Sequence, residues 1–269
     1  MKSLKHLKRV FDGGTGMIYL KSTSDIAKMR ESGRIVFETL QLLKTHIRPG
    51  ITTLELDKIA NEFILSQGAK PSFKNYNGYP KSICASVNNV IIHGIPSDKT
   101  VLKEGDIISI DVGAVKDGFH GDAARTYGVG KISGEAQRLI DVTKQSFYEA
   151  LKYAKHGERL GSICATVQQY VESNGFSVIR NYCGHGIGQK LHESPEIPNH
   201  GTFGRGIRLA KGMTIAVEPM VNYGGCETDL MGDGWTVKTR DGSLAAHYEN
   251  TILITDGSPQ LLTKPDWSE

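Results

Sequence analysis

Four acids interrupt apolar runs of this chain: Asp111 in "IISIDVGAV", Asp122 in "FHGDAART", Glu218 in "TIAVEP" and Glu249 in "HYENTILIT". An unpaired carboxylate is costly to bury in such surroundings, so each demands a positive partner. The turn "KDG" between the first two reads as a hairpin. With Lys116-Asp117 at its tip, Asp111 and Asp122 are directly opposite; with Asp117-Gly118 they are diagonal neighbours. Both registers place them on one face of the ribbon, where they repel. Glu218 alternates with Ala216 and Thr214 along its own strand, opposite Ile215 and Val217, and Glu249 repeats the pattern. Oxygen-rich donors with few nitrogens suit divalent ions such as Mn, Fe, Co, Zn or Mg, and two ions sharing carboxylates would neutralise all four acids.

Histidines supply the nitrogens. His185 lies between glycines in "GHGIGQKLHESPEIPN", with nothing to crowd its imidazole, and His192 opens a His-x-x-Pro element. His93 opens another, at the end of "GYPKSICASVNNVIIHGIP". A lone histidine usually packs or faces solvent, but two matching elements, each ahead of an acid-bearing strand, favour chemistry. Spacing alone leaves open which of them binds metal.

Helices must hold these strands in place. "TSDIAKMRESGRIVFETLQLLKTH" carries apolar residues at helical spacing after a Ser24 cap and ends before Pro49-Gly50. A second helix begins with the capping-box pair Thr52 and Glu55 and stops at Gly68. The order then returns, with two more helices from Ser133 and Leu160 before the glutamate-bearing strands. An offset of 107 residues superposes Gly50 on Gly157, Gly68 on Gly175, Gly105 on Gly212 and Asp111 on Glu218. We read an internal duplication in which two half-domains share one sheet and one site.

At 269 residues, 39% hydrophobic and 23% charged, the composition is that of a globular protein. Its longest apolar runs fall far short of the roughly 20 residues a membrane span needs, and no secretory signal follows the basic N-terminus. A cytoplasmic location is expected. Cys84, Cys164, Cys183 and Cys226 show no CxxC spacing and read as reduced thiols. The net charge of +3 is matched by residues 1–16 alone, where Lys2, Lys5, Lys8 and Arg9 stand against Asp12. The rest is neutral, which gives nucleic-acid recognition no support. Residues 1–16 are either an appended segment, with Met17 as the native start, or a natural basic arm. Residues 17–269 are expected to form one catalytic domain with halves at about 24–130 and 131–262.

The motifs quoted above, together with "AVEPM" and "AHYENT", resemble in order those of the bacterial-type (type I) methionine aminopeptidases of the M24 metallopeptidase family, from about Ile18 to Leu262. The resemblance implies an α/β pita-bread fold, with pseudo-twofold helix-helix-strand halves around a curved antiparallel sheet. It implies two divalent ions (Co, Mn, Fe, Zn or Ni) on Asp111, Asp122, His185, Glu218 and Glu249, with Asp122 and Glu249 bridging. Glu218 would shuttle a proton, His192 would bond the scissile carbonyl, and His93 would contact the scissile nitrogen. The methionine pocket would comprise Tyr76, Tyr79, Cys84, Leu191 and Trp235, with Phe73 at its rim. Two departures bear on the site: Gly113 stands where many relatives carry threonine, and Leu191 where an aromatic is common. The implied activity is removal of the initiator methionine from nascent chains with a small second residue, by a monomer in transient contact with the ribosome. The alternatives are a prolidase or proline-specific aminopeptidase of the same fold, or a catalytically silent ribosome-associated homologue.

Overall fold

The computed structural model describes residues 9–11 and 17–264. Of the N-terminal extension only strand β1 (Arg9–Phe11) falls among them, paired antiparallel with β2 (Met17–Tyr19); the other residues of 1–16 lie outside. Helix α1 (Thr23–His46) starts two residues earlier than its sequence suggests, because its cap is Ser22 and not Ser24. A capping box needs an acid three residues beyond the cap. Asp25 meets that condition for Ser22, accepting from its backbone N–H at 2.9 Å, whereas the residue three beyond Ser24 is Ala27. Helix α2 (Thr53–Ser66) does begin with the expected Thr52–Glu55 box.

Strands β3 (Lys70–Pro71), β4 (Ile83–Val87) and β5 (Val90–Ile92) lead to the long ribbon of β6 (Ile107–Lys116) and β7 (Phe119–Gly128). Its turn is Asp117-Gly118, with φ of 51° and 79°. Two successive positive values match the twist of a two-residue hairpin, which asparagine, aspartate and glycine accept most readily. Lys116 therefore pairs with Phe119, Asp111 with Ala124, and Asp122 with Gly113, so the two aspartates are diagonal neighbours. β3 and β4 line the other edge of β6.

The second half opens with α3 (Gly134–Leu151), α4 (Leu160–Ser173) and β8 (Ser177–Val178). Shifted by 107 residues, α2 falls on α4 and β3 on β8. The three superposed glycine pairs share a left-handed backbone, with φ of 90° and 88°, 68° and 80°, and 89° and 91°. Glycine adopts that conformation without steric cost, which accounts for its recurrence at the same turns. Then come β9 (Cys183–Gly186), β10 (Glu193–Pro198), β11 (Thr214–Val217), β12 (Met220–Asn222), β13 (Thr228–Leu230), β14 (Val237–Thr239), β15 (Ala245–His247), β16 (Asn250–Leu253) and β17 (Gln260–Leu261).

These strands form antiparallel sheets in the orders β10-β9-β11-β16-β17, β15-β12-β8 and β13-β14-β5. Each half buries its own apolar side chains. Val36 and Leu40 of α1 and Leu56 of α2 pack on Ile108 and Ile110, while Leu139 of α3 and Val167 of α4 pack on Ile215, Val221 and Ile252. At about 1.5–3 kcal/mol for each fully buried aliphatic side chain, these cores hold the strands against the strain of the acids between them. Among the described residues, no helix is long and apolar enough to cross a membrane.

Candidate metal centre

The acids meet where the two ribbons abut. Asp111 projects from β6 and Asp122 from β7, on the diagonal fixed by the turn. The strands expected to carry Glu218 and Glu249 are interrupted at those residues. β11 stops at Val217 and β12 resumes at Met220, while β15 stops at His247 and β16 resumes at Asn250. Pro219 has no N–H to give to a ladder, and its carbonyl accepts from Tyr248 N at 3.1 Å. The next amide, Glu249 N, leaves its own ribbon and donates to Ala124 O of β7 at 2.9 Å. Thr251 Oγ1 completes the seam, accepting from Asp122 N at 3.0 Å and donating to Asp122 O at 2.9 Å. Arg125 donates to Asn250 Oδ1 at 2.7 Å and lies 4.3 Å over the Tyr248 ring.

His185 stands in β9 opposite Ala216 of β11. Its Nδ1 lies 2.9 Å from the Gly186 carbonyl, an atom that can only accept, so Nδ1 carries the proton. The Nε2 lone pair is thereby turned to the acids, 3.9 Å from Asp122 Oδ2 and 3.8 Å from Glu218 Oε1. Fixing the tautomer through the other ring nitrogen is how metal-ligating histidines are oriented.

Burial decides the charge states. It raises the Asp111 carboxyl to about 7 and that of Glu218 to about 8. Asp122 and Glu249 are pushed well above the carboxylate range, first by burial and then by neighbouring negative charge, from Asp111 and Glu218 on Asp122 and from Asp122, Glu218 and Asp111 on Glu249. His185 is lowered by burial to about 3, and His93 to about 4. Burial of this kind favours protons on the acids and none on the histidines.

The donors fit divalent cations. Asp111 Oδ1, Asp122 Oδ1 and Glu249 Oε1 are buried without a hydrogen-bond partner, and orphaned buried oxygens are rare in native proteins unless something else satisfies them. Two three-residue groups have ligand atoms within 4.8 Å of one another: Asp122, His185 and Glu249, and Glu218, His247 and Glu249. Glu249 belongs to both. Asp111 lies outside them but close enough for its charge to raise Asp122. His247 was not singled out by sequence reasoning, although its spacing of two from Glu249 puts both on one side of an extended segment.

A cavity of about 310 Å³ opens above this basin, and every sequence-predicted site residue lines it. One wall is apolar. Tyr79 is buried, its hydroxyl donating to Ile83 O at 3.0 Å and its ring 5.1 Å from that of Trp235. Phe73, Cys84 and Leu191 are buried beside it. A Cβ at Gly113 would stand 2.6 Å from Phe73 Cε1, so the glycine makes room for this ring. The other wall carries the remaining histidines. His192 Nδ1 lies 2.8 Å from Tyr76 Oη, and its ring centroid is 4.2 Å from that of His185. The adjacent Glu193 turns away to Lys21 Nζ at 2.6 Å. His93 has a φ of 58°, unusual for a residue with a Cβ, and its ring meets those of Tyr182 and Trp235 edge-on. Asn181, Tyr182 and Cys183 also line the cavity and were not anticipated.

The family model "Metallopeptidase family M24" matches residues 27–256. The methionine aminopeptidase of Clostridium perfringens is 55% identical over 247 residues, which span 92% of this chain and 99% of that protein. The crystal structure of methionine aminopeptidase from Thermotoga maritima superposes with a TM-score of 0.91 at 46% identity, covering 92% of this chain and 100% of that one. A prolidase from Pyrococcus furiosus shares the fold alone, with a TM-score of 0.75 at 22% identity over 92% of this chain and 66% of its own. The architecture common to all of these is the pita-bread fold. Matches of this extent establish that the chain belongs to metallopeptidase family M24, among its methionine aminopeptidases.

Proposed function

We propose that Asp111, Asp122, His185, Glu218 and Glu249 hold two divalent ions, and that residues 17–269 form one catalytic domain that removes the first methionine from nascent chains with a small second residue. The observation that carries this reading is the orphaned carboxylate oxygens of both halves, buried beneath one apolar wall. Divalent ions bound there supply Lewis acidity toward the scissile carbonyl and activate the attacking water. Glu218, which lines the cavity beside the proposed ions, takes the proton from that water and returns it to the leaving nitrogen.

His192 positions the carbonyl. In the tautomer whose Nδ1 accepts from the Tyr76 hydroxyl, Nε2 carries the hydrogen and can donate to oxygen as charge develops there. His93, on the same wall, contacts the scissile nitrogen. The methionine thioether rests against Tyr79, Cys84, Leu191 and Trp235, a soft and apolar surface for a flexible, polarisable side chain. All proposed ligands come from one chain, which supports action as a monomer. Nascent substrates emerge at ribosomes, which supports a cytoplasmic enzyme in transient contact with them.

The test is peptide hydrolysis after reconstitution with Fe(II), Mn(II) or Co(II) under anaerobic conditions. Met-Ala-Ser should lose its methionine, and Ala-Pro peptides should remain intact. Preference for Ala-Pro would overturn the specificity, and absence of turnover with every metal would overturn the catalytic reading.

A further inference from the structure

His192 lines the cavity, and the next side chain turns into the protein, where the Glu193 carboxylate meets Lys21 Nζ at 2.6 Å. The two side chains of this pair are 5% and 7% exposed. A surface pair such as Arg240–Asp229, 57% and 50% exposed, is screened by water and constrains little. A buried pair cannot open without stranding a charge, so it fixes the segments that carry it.

Each partner is held at more than one point. Lys21 lies between β2 and the Ser22 cap of α1; its backbone N–H donates to Gly212 O at 2.8 Å, and its ammonium also donates to Tyr19 O at 3.1 Å. Glu193 opens β10 and uses its other oxygen, Oε1, to accept from Lys190 N at 3.1 Å. One carboxylate therefore closes the turn that carries Leu191 and His192. Gly188 makes room for the pair, since a Cβ there would stand 2.4 Å from Lys21 Cε and 2.7 Å from Glu193 Oε1. The same glycine accepts from His120 N at 2.8 Å, which ties the other end of the loop to β7.

We infer that Lys21 is a positioning residue for the reaction: through its buried pair with Glu193 it sets where the His192 imidazole stands against the substrate carbonyl. This rests on the role given to His192 above. Lys21 itself does not line the cavity, so its influence passes through the loop. The segment joining β2 to α1, outside both ribbons, thereby contributes to the site.

Steady-state hydrolysis of Met-Ala-Ser by the metal-reconstituted full chain, with metal content measured alongside, tests the assignment. In Lys21→Met kcat is expected to fall about 10–100-fold, the scale of a slightly misplaced reacting group. KM and bound metal should stay as in wild type, because the contact impaired is one made in the transition state. In a His192→Ala background the same substitution should cost nothing further, since its effect passes through an imidazole no longer there. A merely structural residue would cost the same in both. Wild-type kcat in Lys21→Met, loss of its metal, or an equal fall in both backgrounds would overturn the inference and leave the role of His192 standing. Full activity in His192→Ala would bring down that role and this inference with it. Removing Lys21 alone strands the Glu193 charge, so Lys21→Met/Glu193→Gln, which leaves no unpaired charge, is expected to show the same fall and decides alone if the single variant does not fold.

Discussion

The two halves present their acids by different means. In the first, β6 and β7 each run ten residues without a break, and Asp111 and Asp122 project from an intact ladder. In the second, the ribbon is cut on both strands at the same height, and Glu218 and Glu249 stand in the gaps. A continuous ladder fixes its side chains by its own hydrogen bonds. A broken one releases backbone groups that must find partners elsewhere, and here Glu249 N finds Ala124 O in the first half. The interruption that aims the glutamates inward also joins the halves, so the site and the seam between the ribbons are built from the same residues.

The largest expected effect asks whether both halves serve one centre. Asp122→Asn in the first and His185→Ala in the second should each lose bound metal and abolish turnover, measured by elemental analysis and steady-state rates on Met-Ala-Ser. Full activity in either variant would mean that its half is dispensable. His93→Ala is expected to be milder, keeping its metal while kcat falls about 100–1000-fold, the scale of losing one transition-state hydrogen bond. Loss of metal in that variant would move His93 into the ligand set.

Stability should respond to pH through the unpaired acids of the metal-free protein. Between pH 6.5 and 8 an unfolded chain has its carboxylates ionised and its histidines mostly neutral. The metal-free fold still holds protons on Glu218, raised to about 8, on Asp111, raised to about 7, and on Asp122 and Glu249. The folded state binds more protons, so its stability falls as pH rises through this window, by up to about 1.4 kcal/mol per pH unit for each extra proton. Below 6.5 the buried histidines act in the opposite direction, His185 staying neutral down to about 3 while the unfolded chain becomes protonated. Melting in EDTA at pH 6.5, 7.2 and 8 should show the decline, and saturating Mn(II) should reverse it because cations displace the protons. A rising melting temperature without metal would show the acids to be ionised and stabilised by something else.

The first half was the more legible in sequence. A strand alternates with period two, so the placement of Asp111 and Asp122 on one face followed from either register, and the turn only chose between opposite and diagonal. The capping box at Thr52 and the glycines of the 107-residue offset are local signals and needed no partner. The breaks at Glu218 and Glu249 are different, because "TIAVEPMV" reads as one run and the effect of Pro219 depends on the strand beside it. His247 was missed for the same reason. Its neighbour Glu218 is supplied by strand pairing, which periodicity in one segment cannot register.

The smallest expected effect tests the seam itself. Thr251→Val removes a hydroxyl that both accepts from Asp122 N and donates to Asp122 O, leaving two buried backbone groups without partners in an otherwise isosteric side chain. At about 1–3 kcal/mol for each buried group left unsatisfied, the loss should be at least about 2 kcal/mol, read as a lower melting temperature in EDTA. Because Asp122 would also lose the contact that holds its strand against β16, affinity for metal should weaken with it. If stability falls and metal affinity does not, the ladder of the first half is sufficient to place Asp122, and the seam serves the fold alone. If both fall together, the second half positions an acid that it does not itself carry.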